Sequence, residues 1–255
     1  MTRASPRPNF NSSKLLRFLA DLSIADASEP KQSFAERLGE WVDFTDAITL
    51  LAALGPRAGG AGGFAPARLA AKLAALEADL ARIQATLVNS ISRQCRAAAG
   101  SDAIGPSQAE RSSELEEFGY ASYRRMHQAL QREMDGALRP LREALRATLA
   151  QAGPDLQQLA ALDEALDKVL AGRERSLLGG LPAMLEKRFE QLLAAHRGRL
   201  AEGGQVDLPN RSRPGAWQAQ FCAELQRALL AELDLRLQPV SGLIEALRSE
   251  AVRQQ

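Results

Sequence analysis

Six aliphatic residues, Leu69, Leu73, Leu76, Leu80, Ile83 and Leu87, recur at alternating spacings of four and three. This spacing puts all six on one stripe of an α-helix, whereas a strand, with its period of two, would scatter them over both faces. The seam runs for about two and a half heptads, enough for one long helix to pack lengthwise on another but short of an independent coiled coil. A second arm with a helical period follows in Leu115, Phe118, Met126, Leu130, Met134, Leu138, Leu141, Leu145 and Leu149. Residues 66–150 are therefore expected to form a long, coiled-coil-like helical hairpin, and the chain an all-α, elongated multi-helix bundle. Composition agrees, because aromatics make up only 5% of the 255 residues and Leu and Ala suit helices better than the β-branched and aromatic residues that sheets favour.

Glycine and proline divide the chain. Residues 1–11 read as a disordered basic arm, since Arg3, Arg7, Lys14 and Arg17 precede any acid. Residues 12–54 read as an N-terminal helical recognition region. Within it Asn11–Ser13 offers an N-cap ahead of Leu15, Leu19 and Leu22, and Ser33-Phe34-Ala35-Glu36 has the capping-box pattern that would start a helix over 34–54. The Gly-rich run in 55–65 reads as a linker. Residues 151–255 read as a C-terminal helical region. There Asp155 is placed to cap a helix whose stripe is Leu156, Leu159, Leu162, Leu166 and Val169, and Pro182 suits the first turn of the next. Trp217, Phe221, Leu225 and Leu229 mark a last long helix. Pro140 should kink the helix it lies in, and Pro239 should interrupt or kink the last one.

Charge and cysteine content narrow the function. A formal charge of +1 lacks the basic field of most duplex-binding proteins, which makes nucleic acid an unlikely partner. Cys95 and Cys222, far apart in helical segments, fit neither a disulfide framework nor a zinc site. His127 and His196 each lack a second histidine or cysteine at helical ligand spacing. No phosphate-loop, dinucleotide or hydrolase-elbow motif occurs. We therefore expect no metal, no cofactor and no catalytic residues. With no leader or transmembrane pattern in view, we expect a cytoplasmic protein.

The residues that stand out are on the segment 34–54. Glu36, Glu40, Asp43 and Asp46 fall on one side of the expected helix, away from Phe34, Leu38, Trp41, Val42 and Ile48, as an acidic face suited to a basic partner. The run Ala47–Leu54 is apolar almost all round, which calls for cover on more than one side. Trp41, Asp43, Phe44, Asp46 and Leu51 are the candidate partner-binding residues.

The stretch Phe34-Ala35-Glu36-Arg37-Leu38, with Trp41, Asp43 and Thr45-Asp46-Ala47-Ile48, resembles a family of uncharacterised helical proteins of Gram-negative bacteria. Phe44 stands where that family's pattern has a second tryptophan, and the close likeness covers residues 15–54. The family is encoded near TolQ- or MotA-like proton-channel subunits and OmpA-like envelope proteins. The resemblance therefore implies a cytoplasmic accessory of an energised envelope complex and carries no active-site residues. The expected function is a non-catalytic helical adaptor or scaffold with a protein partner, and a homo-oligomer is left open. A nucleic-acid-associated protein using the basic arm is the alternative, and an enzyme with a dispersed carboxylate site the third.

Overall fold

The computed structural model of the chain describes residues 14–22, 39–55, 63–99, 119–201 and 216–254. Among them are seven helices and no strands: α1 (Lys14–Asp21), α2 (Phe44–Leu54), α3 (Pro66–Ala98), α4 (Ala121–Ala152), α5 (Pro154–Gly179), α6 (Leu181–Ala201) and α7 (Ala216–Arg253). The fold is all-α. The basic arm, the Asn11–Ser13 cap, the Ser33–Glu36 capping box, most of the Gly-rich run, Leu115 and Phe118 lie outside the described residues.

The chain divides into two compact units, each assembled from separate stretches of sequence. Unit 1 comprises residues 1–30, 88–131 and 180–235, and unit 2 comprises 31–87, 132–179 and 236–255, so α3, α4 and α7 each contribute to both.

In unit 2, Leu69, Leu73 and Leu76 share one core with Leu141, Leu145 and Leu149 and with Val240, Leu243, Ile244 and Leu247. The beginning of α3 thus lies beside the end of α4, each burying the stripe its period defines. Leu80 and Ile83 pack against this core partly buried. Helix α5 joins through Leu156 and Ala160, and its buried positions are Leu156, Ala160, Ala165 and Leu178. Leu162, Leu166 and Val169 stay half-exposed. The expected stripe thus packs at its start, with Leu156 in the core and Leu159 partly buried against it, while alanine supplies two of the four buried positions of this helix.

Phe64, just before α3, packs against the same core, with the Arg68 guanidinium and Lys72 ammonium 5.4 and 5.0 Å from its ring centre. Beside it Gly63 comes so near the end of α4 that a Cβ would stand 2.7 Å from the Ala152 carbonyl oxygen. Only glycine permits that approach.

In unit 1, α4, α6 and α7 meet through aromatic rings. Phe189 packs edge-on to Phe221 and Trp217 at 5.2 and 5.3 Å between ring centres, and Tyr123 lies 5.0 Å from Phe221. Such edge-to-face contacts add about 0.5–1.5 kcal/mol each to the area they bury. The Tyr120 hydroxyl donates 2.6 Å to the Pro182 carbonyl, joining the start of α4 to the start of α6. Gly119, at φ +56°, makes the turn into that tyrosine, a backbone region that side chains with a Cβ rarely adopt.

Two local expectations need correction, and a third is narrowed. Asp155 lies in the first turn of α5 rather than before it, because Pro154 takes the first position, where its missing N–H costs nothing. Helix α7 is not interrupted at Pro239, one of the two outcomes expected there, and α4 runs on through Pro140, where a kink and not a break is expected; packing on both sides of a proline holds the chain helical despite the lost hydrogen bond. The helix expected over 34–54 is broken. Gly39–Trp41 is helical, Val42 and Asp43 are not, and a new helix starts at Phe44.

Candidate functional site

The break at Val42–Asp43 organises the surface around α2. Asp43 has an extended backbone (φ −79°, ψ 178°) and is the N-cap of the new helix. Its Oδ1 accepts the Asp46 N–H at 2.7 Å, and Asp46 Oδ2 accepts the Asp43 N–H at 3.3 Å. Two amides that the helix start would orphan are thereby satisfied, with two carboxylates where the helix dipole favours negative charge. Asp43 and Asp46 thus serve α2 as its caps instead of lying along one continuous helix with Glu40, while Glu36 lies outside the described residues.

Helix α2 sits on α5 within unit 2. Ala53 is buried and Leu50 half-buried, and the Gln158 amide donates 2.9 Å to the Leu54 carbonyl, one of the orphan acceptors of the last turn. At 3.6 residues per turn, Ala53 lies half a turn round from Phe44. Phe44, Ile48 and Leu51, spaced four and three apart, form a stripe on the side away from α5, with exposures of 82%, 53% and 71%. Leu54 flanks it at 51%. The apolar run Ala47–Leu54 is covered on one side only, where cover on several was expected.

The structure thus brings Phe44 and Leu51 together on one stripe, adds Ile48 and Leu54 to them, and sets Asp43 and Asp46 at its N-terminal end. Trp41 is half-buried ahead of the break.

Charged groups gather elsewhere in unit 2. A cavity of about 750 Å³ opens between α4, α5 and α7, with Arg139, Arg142, Arg146, Asp167, Lys168 and Arg236 among its lining. Its charges largely pair off. Arg142 bonds Asp163 at 2.7 and 2.9 Å and Asp167 at 2.7 Å, while Arg146 bonds Asp163 at 2.6 Å and Asp167 at 2.9 Å. Arg236 pairs with Asp135 and Lys168 with Glu164. Burial lowers the pKa of Arg146, but its hydrogen bonds to Asp167 and Asp163 outweigh that and raise it. Both in-helix prolines adjoin lining residues, Pro140 next to Arg139 and Pro239 next to Val240. The network clamps α4 to α5.

Unit 1 holds a buried polar group that pattern reading missed. His127 on α4 and Glu232 on α7 are both 0% exposed, with His127 Nε2 3.1 Å from Glu232 Oε2. The Gln131 amide donates to both Glu232 oxygens at 2.9 and 3.2 Å. His127 Nδ1 is buried without a partner. No sequence signal links positions about a hundred apart. The Arg–Asp network had a faint one, since Arg142/Arg146 and Asp163/Asp167 are each four apart on one helical face.

Cys95 and Cys222 are buried and unbridged. Burial, with the neighbouring Cys222 thiol adding to it, pushes Cys95 up to about 12. Cys222, whose Sγ–H faces the Tyr123 hydroxyl at 4.0 Å, is pushed up to about 11 by burial. His196 stacks on Trp217. Among the described residues no three or more His, Cys, Asp or Glu side chains are placed to hold a metal ion. No described helix is long and apolar enough to cross a membrane.

Comparison with known families places residues 1–249 in the one described as "Protein of unknown function (DUF3348)". The chain belongs to the DUF3348 family. The match extends far beyond residues 15–54, so the DUF3348 pattern spans both units rather than the region of α2 alone. No curated protein and no solved structure matches the chain.

Proposed function

We propose that this DUF3348 protein is a non-catalytic helical adaptor that docks a protein partner on α2. The observation that carries the reading is the stripe of Phe44, Ile48, Leu51 and Leu54, each more than half exposed on a helix whose opposite side is seated on α5. Exposed large hydrophobics usually occur singly, and several contiguous ones mark a contact surface. The other exposed large hydrophobics among the described residues, Leu177, Met184 and Val252, stand on three different helices. The likeness of residues 34–48 to proteins encoded beside proton-channel-type and envelope proteins favours a setting on the cytoplasmic side of an energised envelope complex.

Chemical cross-linking in native cells followed by purification of the full chain tests the reading. A protein partner is expected in fixed stoichiometry, lost in a Phe44→Ser/Leu51→Ser variant that melts as wild type. Recovery of the chain alone would overturn it.

A further inference from the structure

We infer that the occupant of α2 is an amphipathic helix of another protein, with lysine or arginine at the end that lies over residues 43–46. The inference rests on the adaptor reading and gives its partner a chemistry.

Shape comes first. Phe44, Ile48 and Leu51 repeat at four and three, the spacing with which one helix interleaves its side chains with another at a shallow angle. From Phe44 to Leu54 the helix rises about 15 Å. That length matches about three turns of a partner helix carrying its own four-three aliphatic stripe.

Charge then decides between occupants. Residues 43–55 contain Asp43 and Asp46 and no lysine, arginine or histidine. The two aspartates stand at the N-terminal end of the stripe as the cap of α2. A second copy of α2 would bring the same acids and no cation to meet them. A nucleic acid or an anionic lipid surface would be repelled by these carboxylates, and a nucleic acid would also leave the aliphatic stripe unsatisfied. A protein helix with a basic end satisfies both the stripe and the acids. Antiparallel packing puts the partner's C-terminal turn beside Asp43 and Asp46. Lysine and arginine are favoured in that turn by the partner's own helix dipole. The cations are thus expected in the last turn of the docking segment.

Photo-crosslinking separates the alternatives. A benzoylphenylalanine is placed at Phe44 in one full-length variant and at Leu51 in another, in the cells that make the protein, and the linked peptides are sequenced. Both positions should link to one segment of one other protein, with a four-three aliphatic pattern and its lysines or arginines at the end linked from position 44. A synthetic peptide of that segment should bind the purified chain. Its affinity should fall about tenfold in Leu51→Asp and severalfold when salt rises from about 50 to 300 mM. Because Leu51 is 71% exposed, that variant should melt as wild type.

A link to a second copy, to another part of the same chain or to an acidic segment overturns the inference, as does no link at all. If the chain still carries a stoichiometric partner in the native preparation while α2 links to none of it, the adaptor reading stands and this inference falls. If no partner is recovered, both fall.

Discussion

Asp43 and Asp46 cap each other, the side chain of each accepting the backbone N–H of the other, at 2.7 Å to Asp43 Oδ1 and 3.3 Å to Asp46 Oδ2. The shorter bond also caps α2, so the two residues should not be equivalent. Asp43→Ala should cost about 1 kcal/mol of local stability and Asp46→Ala less, with Asp43→Asn close to wild type. Amide exchange checks this, because loss of the cap should first deprotect the early turns of α2. Equal protection in wild type and Asp43→Ala would show that seating on α5 alone holds the helix.

The same pair shows what the sequence could convey. The heptad seam of α3 was legible because one period repeats over six positions, and Leu69, Leu73, Leu76 and Leu87 are buried where it puts them. The break at Val42–Asp43 was hidden because every residue around it also fits a helix. The Asp43-x-x-Asp46 spacing that marks the new start is a variant of the capping box, and it was read instead as two points on a continuous face. On α5 the stripe was legible only at its start, where Leu156 is in the core and Leu159 packs against it, while further along Ala165 is buried and Leu162, Leu166 and Val169 stay half-exposed. Pairings such as Arg142 with Asp163 or His127 with Glu232 depend on which helices meet, and periodicity is silent about that.

The Arg142–Arg146–Asp163–Asp167 network should be uneven. The Asp163 side chain, 12% exposed, bonds both arginines, while that of Asp167 is 37% exposed. Asp163→Asn should therefore destabilise by about 2 kcal/mol, through two guanidiniums left half-satisfied, and Asp167→Asn by under about 1 kcal/mol. Arg142→Lys should not rescue the geometry, because an ammonium lacks the planar fork. Urea unfolding of the three variants measures this, and equal effects at 163 and 167 would count against the clamp.

His127 and Glu232 should be strongly coupled. Removing one partner leaves the other fully buried and short of a hydrogen bond, so His127→Leu or Glu232→Leu alone should each cost about 3 kcal/mol or more. Changing both to leucine should cost less than the sum, since no buried ionisable group is then left behind. A double-mutant cycle by denaturant unfolding reads the coupling directly, and additive effects would show that the two side chains are energetically independent.

The cysteines should be inert in the folded chain. Burial holds the thiols protonated, with Cys95 up at about 12 and Cys222 up at about 11, and the reactive species is the thiolate. At about pH 8 an aromatic disulfide reagent should label both only as fast as the protein opens, and at once in denaturant. Rapid labelling of one thiol without denaturant would indicate a local opening in unit 1.

Acid stability should depend on Glu224. Its carboxylate accepts both nitrogens of the Arg188 fork at 2.8 Å and the Gln220 amide at 3.0 Å. Burial alone would raise its pKa, but the hydrogen bonds from Arg188 and Gln220 and the arginine charges outweigh that and hold it below the ordinary carboxylate value of 4.5. In the unfolded chain Glu224 returns to that value, so between the two pKa values the unfolded state binds the extra proton. The contribution is thus fully present above the ordinary value and is lost as pH falls through the depressed one. Arg188, its own pKa raised first by the hydrogen bond to Glu224, stays charged throughout. Glu224→Gln should therefore be less stable than wild type by about 1.5–3 kcal/mol at neutral pH. The gap should narrow as pH falls below about 4.5 and close once pH lies below the depressed pKa of the folded state. Denaturant unfolding of both proteins at several pH values measures the gap. A constant gap down to acid would show that Glu224 stabilises unit 1 by packing and not by its charge.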